Sequence, residues 1–96
     1  MSERIEKFRQ TVEKACGCKA RHAGSTAVVE TFEGQTVWEG VVETFDLEGH
    51  LTAKNCYAFH FVENGGTVIK MVLGIPPVDS PQTAVKVAIA SRGKAS

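Results

Sequence analysis

The chain has 96 residues, of which 43% are apolar and 23% charged, and its 11 basic residues balance its 11 acidic ones. A chain of this length buries roughly 60–65% of its unfolded surface in one core, so we expect a single domain over residues 1–96. Zero net charge argues against a nucleic-acid or anionic-membrane partner. No segment approaches the roughly 20 apolar residues of a membrane span, and residues 1–7 lack the apolar run of a signal peptide. We therefore expect a cytoplasmic protein.

The three cysteines indicate reduced thiols rather than a disulfide framework, because their number is odd and no secretion signal is visible. Cys16, Cys18 and His22 are the right ligand types for zinc, but a closed site needs a fourth ligand and the spacing is not the usual Cys-x-x-Cys. Cys56 supplies that ligand only if its strand meets the loop after Cys18. Small buried thiols at a helix end are the preferred interpretation, so we expect neither a metal nor a cofactor.

The first predicted element is a helix over about residues 3–16. Its apolar residues recur at spacings of three and four, which places them on one helical stripe: Ile5, Phe8, Val12 and Ala15. Ser2 can cap its start, and Gly17 can end it in the left-handed conformation. The polar residues 18–25 that follow show no periodicity, which predicts a loop.

Four strands are predicted next, at about 26–33, 36–47, 53–63 and 67–75, because β-branched and aromatic residues are concentrated there. The segments between them each contain glycine, which tight turns favour. These breaks fall at residues 33–35, 48–50 and 64–66. Short turns between successive strands predict an antiparallel meander.

A second helix is predicted over about residues 81–92. Ser80 is a good N-cap, Pro81 suits the first helical position, and Gly93 offers a stop. The apolar stripe consists of Val85, Ala88 and Ile89. The expected fold class is α+β with the order α-β-β-β-β-α, and both helices are expected to pack side by side on one face of the sheet.

Alternation along the strands divides the sheet into two faces. The helix-covered face is expected to carry Ala27, Val29, Trp38, Val42, Tyr57, Phe59, Phe61, Ile69, Met71, Leu73 and Ile75. The other face is expected to carry Val28, Glu30, Phe32, Val37, Glu39, Val41, Glu43, Phe45, Lys54, Cys56, Ala58, His60, Val62, Val68, Lys70 and Val72. A bulge at Gly40 would instead exchange the two faces of the second strand.

Candidate binding residues lie on this second face: Glu39, Glu43, His60 and Lys70. A carboxylate, an imidazole and an amine could perform acid–base chemistry together. Opposite charges meeting across strands are also ordinary sheet stabilisation, at roughly 0.2–1 kcal/mol per pair, and we prefer that interpretation.

The second face contains more valine and phenylalanine than a solvated face requires. The preferred hypothesis is therefore a non-enzymatic interaction module that uses this helix-free face to form a homodimer or to bind a protein partner. The alternative is a small-molecule binder or simple acid–base enzyme that uses the four candidate residues. RNA binding through the basic residues Lys14, Lys19, Arg21 and His22 is a weaker third hypothesis.

Overall fold

A computed structural model of the chain describes residues 3–63 and 65–94. The elements are α1 (Glu3–Cys16), β1 (Lys19–Phe32), β2 (Gln35–Glu48), β3 (Asn55–Glu63), β4 (Gly66–Leu73) and α2 (Pro81–Lys94). The strands form one antiparallel sheet in the order β1-β2-β3-β4. The predicted α+β class and the meander are therefore confirmed. Across the described ranges, neither helix has the length and apolar character that spanning a membrane requires.

Capping contacts mark the end of α1 and the start of α2. Gly17 has a φ of 67° and donates its N–H to the Glu13 carbonyl at 2.9 Å, which ends α1 as expected. At the start of α2, Ser80 Oγ accepts the Thr83 N–H at 3.2 Å. Helix α2 continues past Gly93 to Lys94, so Gly93 does not stop it. The proposed cap Ser2 lies outside the described residues.

The predicted loop at residues 18–25 is wrong, because β1 already begins at Lys19. Lys19 pairs with Glu48, and the ladder continues to Phe32 opposite Gln35, with an irregularity at Ala23. The second half of β2 supplies the backbone partners, and Ala20 is buried against α1. This segment is a strand because of its partner and not because of its own periodicity.

The β1–β2 hairpin turns at Glu33 and Gly34, which both have positive φ, at 53° and 79°. A two-residue turn of this kind matches the twist of the flanking strands. Thr31 pairs with Thr36 and Glu30 with Trp38, so the extra residue lies at Val37. The possible bulge at Gly40 is therefore not present.

The two helices pack on opposite faces of the sheet, which corrects the expectation that both share one face. On the α1 side, Phe8 and Val12 pack in one cluster with Phe45, Cys56 and Ala58. On the α2 side, the second cluster contains Val28, Val42, Tyr57, Phe59, Phe61, Val78, Ala84, Val85 and Ala88. Every residue of β3 from Cys56 to Phe59 is buried, because this central strand has a helix over each face. No complete helix-free face exists.

The facing of β4 also differs from the prediction. Phe59 pairs with Lys70 and His60 with Ile69, so Ile69, Met71 and Leu73 lie on the α1 side. Glu63 pairs with Gly66, which leaves two residues between the paired positions instead of the expected three. A shift of one residue moves every side chain of a strand to the other face.

The facing of β2 agrees with expectation, whereas that of β1 does not. Trp38 and Val42 lie on the α2 side and Phe45 on the α1 side. Val28 is buried with Val42, while Val29 lies on the opposite side of the sheet. The turn and the extra residue at Val37 together set this pairing.

Candidate functional site

Glu43 is the most deeply buried charged side chain of the described residues, with 1% of its side chain exposed. It lies on β2 beneath the first turn of α1. The Arg4 guanidinium donates to its Oε2, and the Ser25 hydroxyl donates to its Oε1. His22 Nε2 lies 2.8 Å from the same Oε1. Two strands and a helix thus contribute to one polar cluster, which we call the Glu43 cluster.

The Glu43 carboxyl is held in its ionised form. Burial raises the pKa of this group, but hydrogen bonds from Ser25, Arg4 and His22, together with the charge of Arg4, outweigh burial and lower the pKa below its usual value. Within the described part of the chain no buried side-chain polar atom lacks a hydrogen-bond partner. The carboxylate is therefore neutralised and saturated by the protein itself.

The Glu43 cluster contains a serine, a histidine and an acid, but their geometry is not that of a nucleophilic triad. In a triad the acid and the hydroxyl bind opposite nitrogens of the imidazole. Here His22 Nε2 faces both Glu43 Oε1 and Ser25 Oγ, the latter at 3.4 Å. The arrangement holds α1 against the β1–β2 hairpin, and it does not activate the hydroxyl.

Glu39 and His60 lie on the same side of the sheet as Glu43, in agreement with the predicted grouping. Glu39 is exposed and pairs with Val29 across the hairpin. The His60 ring is exposed and lies 4.9 Å from the Phe8 ring, centroid to centroid. Its backbone carbonyl accepts the indole N–H of Trp38 at 3.1 Å. Both side chains are therefore available at the surface beyond the first turn of α1.

Lys70 does not join the other three candidate residues. It lies on the α2 side, where its Nζ is 5.7 Å from the centroid of the Phe61 ring. The sheet therefore separates the lysine from His60, and the four candidate residues do not form one site. The cause is the register of β4 described above.

Helix α1 covers only part of its side of the sheet. Beyond its first turn lies a surface that we call the uncovered patch, which comprises Ala27, Val29, Glu39, Val41, His60 and Val62. Three of its valines are exposed by 50% (Val29), 39% (Val41) and 58% (Val62). Part of the apolar excess inferred from the sequence therefore lies exposed on half of one face.

Three residues of the Glu43 cluster were missed by the sequence analysis. At the sequence level, Arg4 was considered only within residues 1–7, which lack the apolar run of a signal peptide, and Ser25 was placed in a predicted loop. His22 was considered as a zinc ligand or as part of a basic group. No local signal connects these residues, because their proximity depends on the early start of β1 and on the position of α1.

The cysteines meet in space, although they do not form a metal site. Cys16 packs against the apolar cluster that contains Cys56, and Cys18 is close enough to affect both thiols electrostatically. His22, the histidine considered as a zinc ligand, instead contacts Glu43. Residues 3–63 and 65–94 contain no group of three histidine, cysteine, aspartate or glutamate side chains that could hold a metal ion.

Comparison with known proteins provides no relative from which a function could be transferred. No protein-family model matches the chain, and no curated protein or solved structure matches it either. The residues of the chain itself must therefore support any functional proposal.

Proposed function

We propose that the chain is a small interaction module that self-associates through the uncovered patch. The observation that carries the proposal is the row of partly exposed valines on the half of the sheet face that α1 leaves open. Contiguous apolar surface of this kind, bordered by polar groups, is typical of protein–protein contacts.

The polar side chains of the uncovered patch favour a second copy of the same chain over an unrelated partner. Glu39 and His60 both lie at its surface. A two-fold symmetric contact places the same patch of both copies face to face. Glu39 of one copy can then reach His60 of the second copy, and the reverse contact forms by symmetry. The patch therefore contains both halves of a complementary pair.

The proposal is tested by measuring the solution mass between about 10 μM and 1 mM, a range that detects weak dimers. We expect a dimer for the unmodified chain. Val29→Lys and Val62→Lys should each give a monomer, because a lysine placed in the contact carries a charge that would have to be desolvated.

Val87→Lys is the matched control. Val87 is 36% exposed and lies on α2, on the other side of the sheet. It should remain a dimer, so that loss of the dimer can be assigned to the patch and not to the added charge. A monomeric unmodified chain at the highest concentration would contradict the proposal, as would equal effects of Val87→Lys and Val29→Lys.

No observation favours the acid–base alternative to the same degree. Glu43 is saturated by its three partners, and Lys70 lies across the sheet from His60. Of the four candidate residues, only Glu39 and His60 are exposed on the same side, and we assign them to the proposed contact.

A further inference from the structure

Cys16 and Cys56 lie near the C-terminal end of α1, at the opposite end of this helix from the uncovered patch. Cys16 is the last residue of α1, and Cys56 is the second residue of the central strand β3. Cys16 packs against the apolar cluster that contains Cys56, and the two thiols are close enough to influence each other electrostatically. These two sulfur atoms are therefore neighbours in the folded chain despite their distance in sequence.

The two thiols differ in their access to solvent. Cys56 is fully buried, whereas Cys16 is only partly buried. Cys16 also lines an open surface pocket of about 350 Å³, together with Gly17, Gly49, His50, Leu51 and Thr52. His50 Nδ1 accepts the backbone N–H groups of Thr52 at 3.2 Å and Ala53 at 3.0 Å, and this orders the loop that forms one wall of the pocket. A small reagent can thus approach Cys16 but not Cys56.

We propose that Cys16 undergoes thiol–disulfide exchange with a low-molecular-weight disulfide and that Cys56 resolves the product within the chain. The thiolate of Cys16 first attacks one sulfur of the reagent, which forms a mixed disulfide and releases one thiolate of the reagent. The Cys56 thiolate then attacks the Cys16 sulfur and displaces the second thiolate. The protons lost by the two cysteines are taken up by the two released thiolates. Two protein thiols are oxidised to one disulfide, and one reagent disulfide is reduced to two thiols.

The environment of the two thiols makes this reaction slow near neutral pH. Burial is the main cause that raises the pKa of Cys16, and it raises the pKa of Cys56 to about 12. Little thiolate is then available to attack. A disulfide between the two sulfurs would also be released slowly, because thiols of high pKa are poor leaving groups.

Oxidised glutathione serves as the probe, with the folded, full chain at about pH 8, where more of each thiol is ionised. Remaining thiols are alkylated at intervals and the peptides are mapped by mass spectrometry. The unmodified chain should lose two thiols and yield a peptide that links Cys16 to Cys56. Cys56→Ala should instead accumulate glutathione on Cys16, because the resolving thiol is missing.

Cys18→Ala is the control, and it should form the Cys16–Cys56 link at the rate of the unmodified chain. A link between Cys16 and Cys18, or glutathione on Cys18 alone, would overturn the proposal. So would thiols that remain unmodified in the folded chain while the chain in urea reacts. If Cys56→Ala does not give the tryptophan emission of the folded chain, the peptide map of the unmodified chain decides the question.

Discussion

At the scale of single residues, Glu43 connects the first helix to the β1–β2 hairpin. Its carboxylate accepts hydrogen bonds from Arg4 on α1 and from Ser25 on β1. Because the acid is buried while the Arg4 side chain is 43% exposed, the cluster lies under a single layer of side chains. This position is deep enough to require partners for the charge and shallow enough to retain some solvent screening.

Glu43→Gln should destabilise the fold by about 2–3 kcal/mol, because the amide cannot accept all three hydrogen bonds and leaves the charge of Arg4 uncompensated. Glu48→Gln is the matched control, since Glu48 lies on the same strand but is exposed and outside the uncovered patch. It should change the unfolding free energy by no more than about 0.5 kcal/mol. Urea unfolding of both variants measures the difference, and equal losses would show that the Glu43 cluster does not stabilise the fold.

The same carboxyl gives a prediction about pH. Because folding lowers the pKa of Glu43 below its ordinary value of 4.5, its stabilising contribution is fully present above that pH. The contribution is lost as the pH falls through the lower pKa of the folded state. The free energy of unfolding should therefore decline more steeply below pH 4.5 for the unmodified chain than for Glu43→Gln. Parallel acid limbs in urea titrations at several pH values would argue against this assignment.

At the scale of elements, the β1–β2 hairpin depends on how the Trp38 side chain packs over Gly40. A Cβ added at Gly40 would lie 2.9 Å from the Trp38 ring, so the indole occupies the space that a side chain at position 40 would need. The same indole packs edge-on against Phe59 at 5.4 Å between centroids. Glycine is therefore required at position 40 because the Trp38 ring packs there. It does not form the bulge that the sequence analysis considered.

Gly40→Ala should displace the indole and cost about 1–3 kcal/mol, as expected for overpacking. Trp38 is the single tryptophan of the chain, so a shift in its emission reports the displacement directly. Gly24→Ala is the control in the same hairpin, because an added Cβ there meets nothing within 4 Å. Unchanged emission and stability in Gly40→Ala would show that the ring position is not as described.

At the scale of the whole molecule, one sheet separates two apolar clusters that share the central strand. Val12 of α1 and Val85 of α2 are both fully buried, on opposite sides of β3. Neither layer can lose its helix without exposing one face of that strand. The two clusters should therefore unfold together.

Val12→Ala and Val85→Ala should each destabilise the chain by about 1–3 kcal/mol through lost burial and a residual cavity. Circular dichroism reports both helices, whereas Trp38 fluorescence reports the α2 side. Both signals should follow one transition in each variant. Separate transitions for the two probes in Val12→Ala would indicate that the α1 layer unfolds independently.

Local signals in the sequence were sufficient for the number and order of the elements, although not for the start of β1 at Lys19. The stripe and cap residues located α1 and the start of α2, and the glycine-containing breaks separated four strands in the correct order. Such features depend on a few neighbouring residues, so they can be read without knowledge of the fold. Alternation along β2 and β3 also predicted that Glu39, Glu43 and His60 lie on one side of the sheet, because alternation is a local property of each strand.

The tertiary structure alone decided which faces these elements present. Backbone hydrogen bonds form equally well in several registers, and a shift of one residue in β4 moved Lys70 to the side opposite His60. The helices lie on opposite faces because both sides of β3 are apolar and each side has to be buried. By itself, the sequence determined the α+β meander and the excess of apolar sheet surface. The long-range pairing of strands determined the Glu43 cluster, the proximity of Cys16 to Cys56, and the half of one face that remains uncovered.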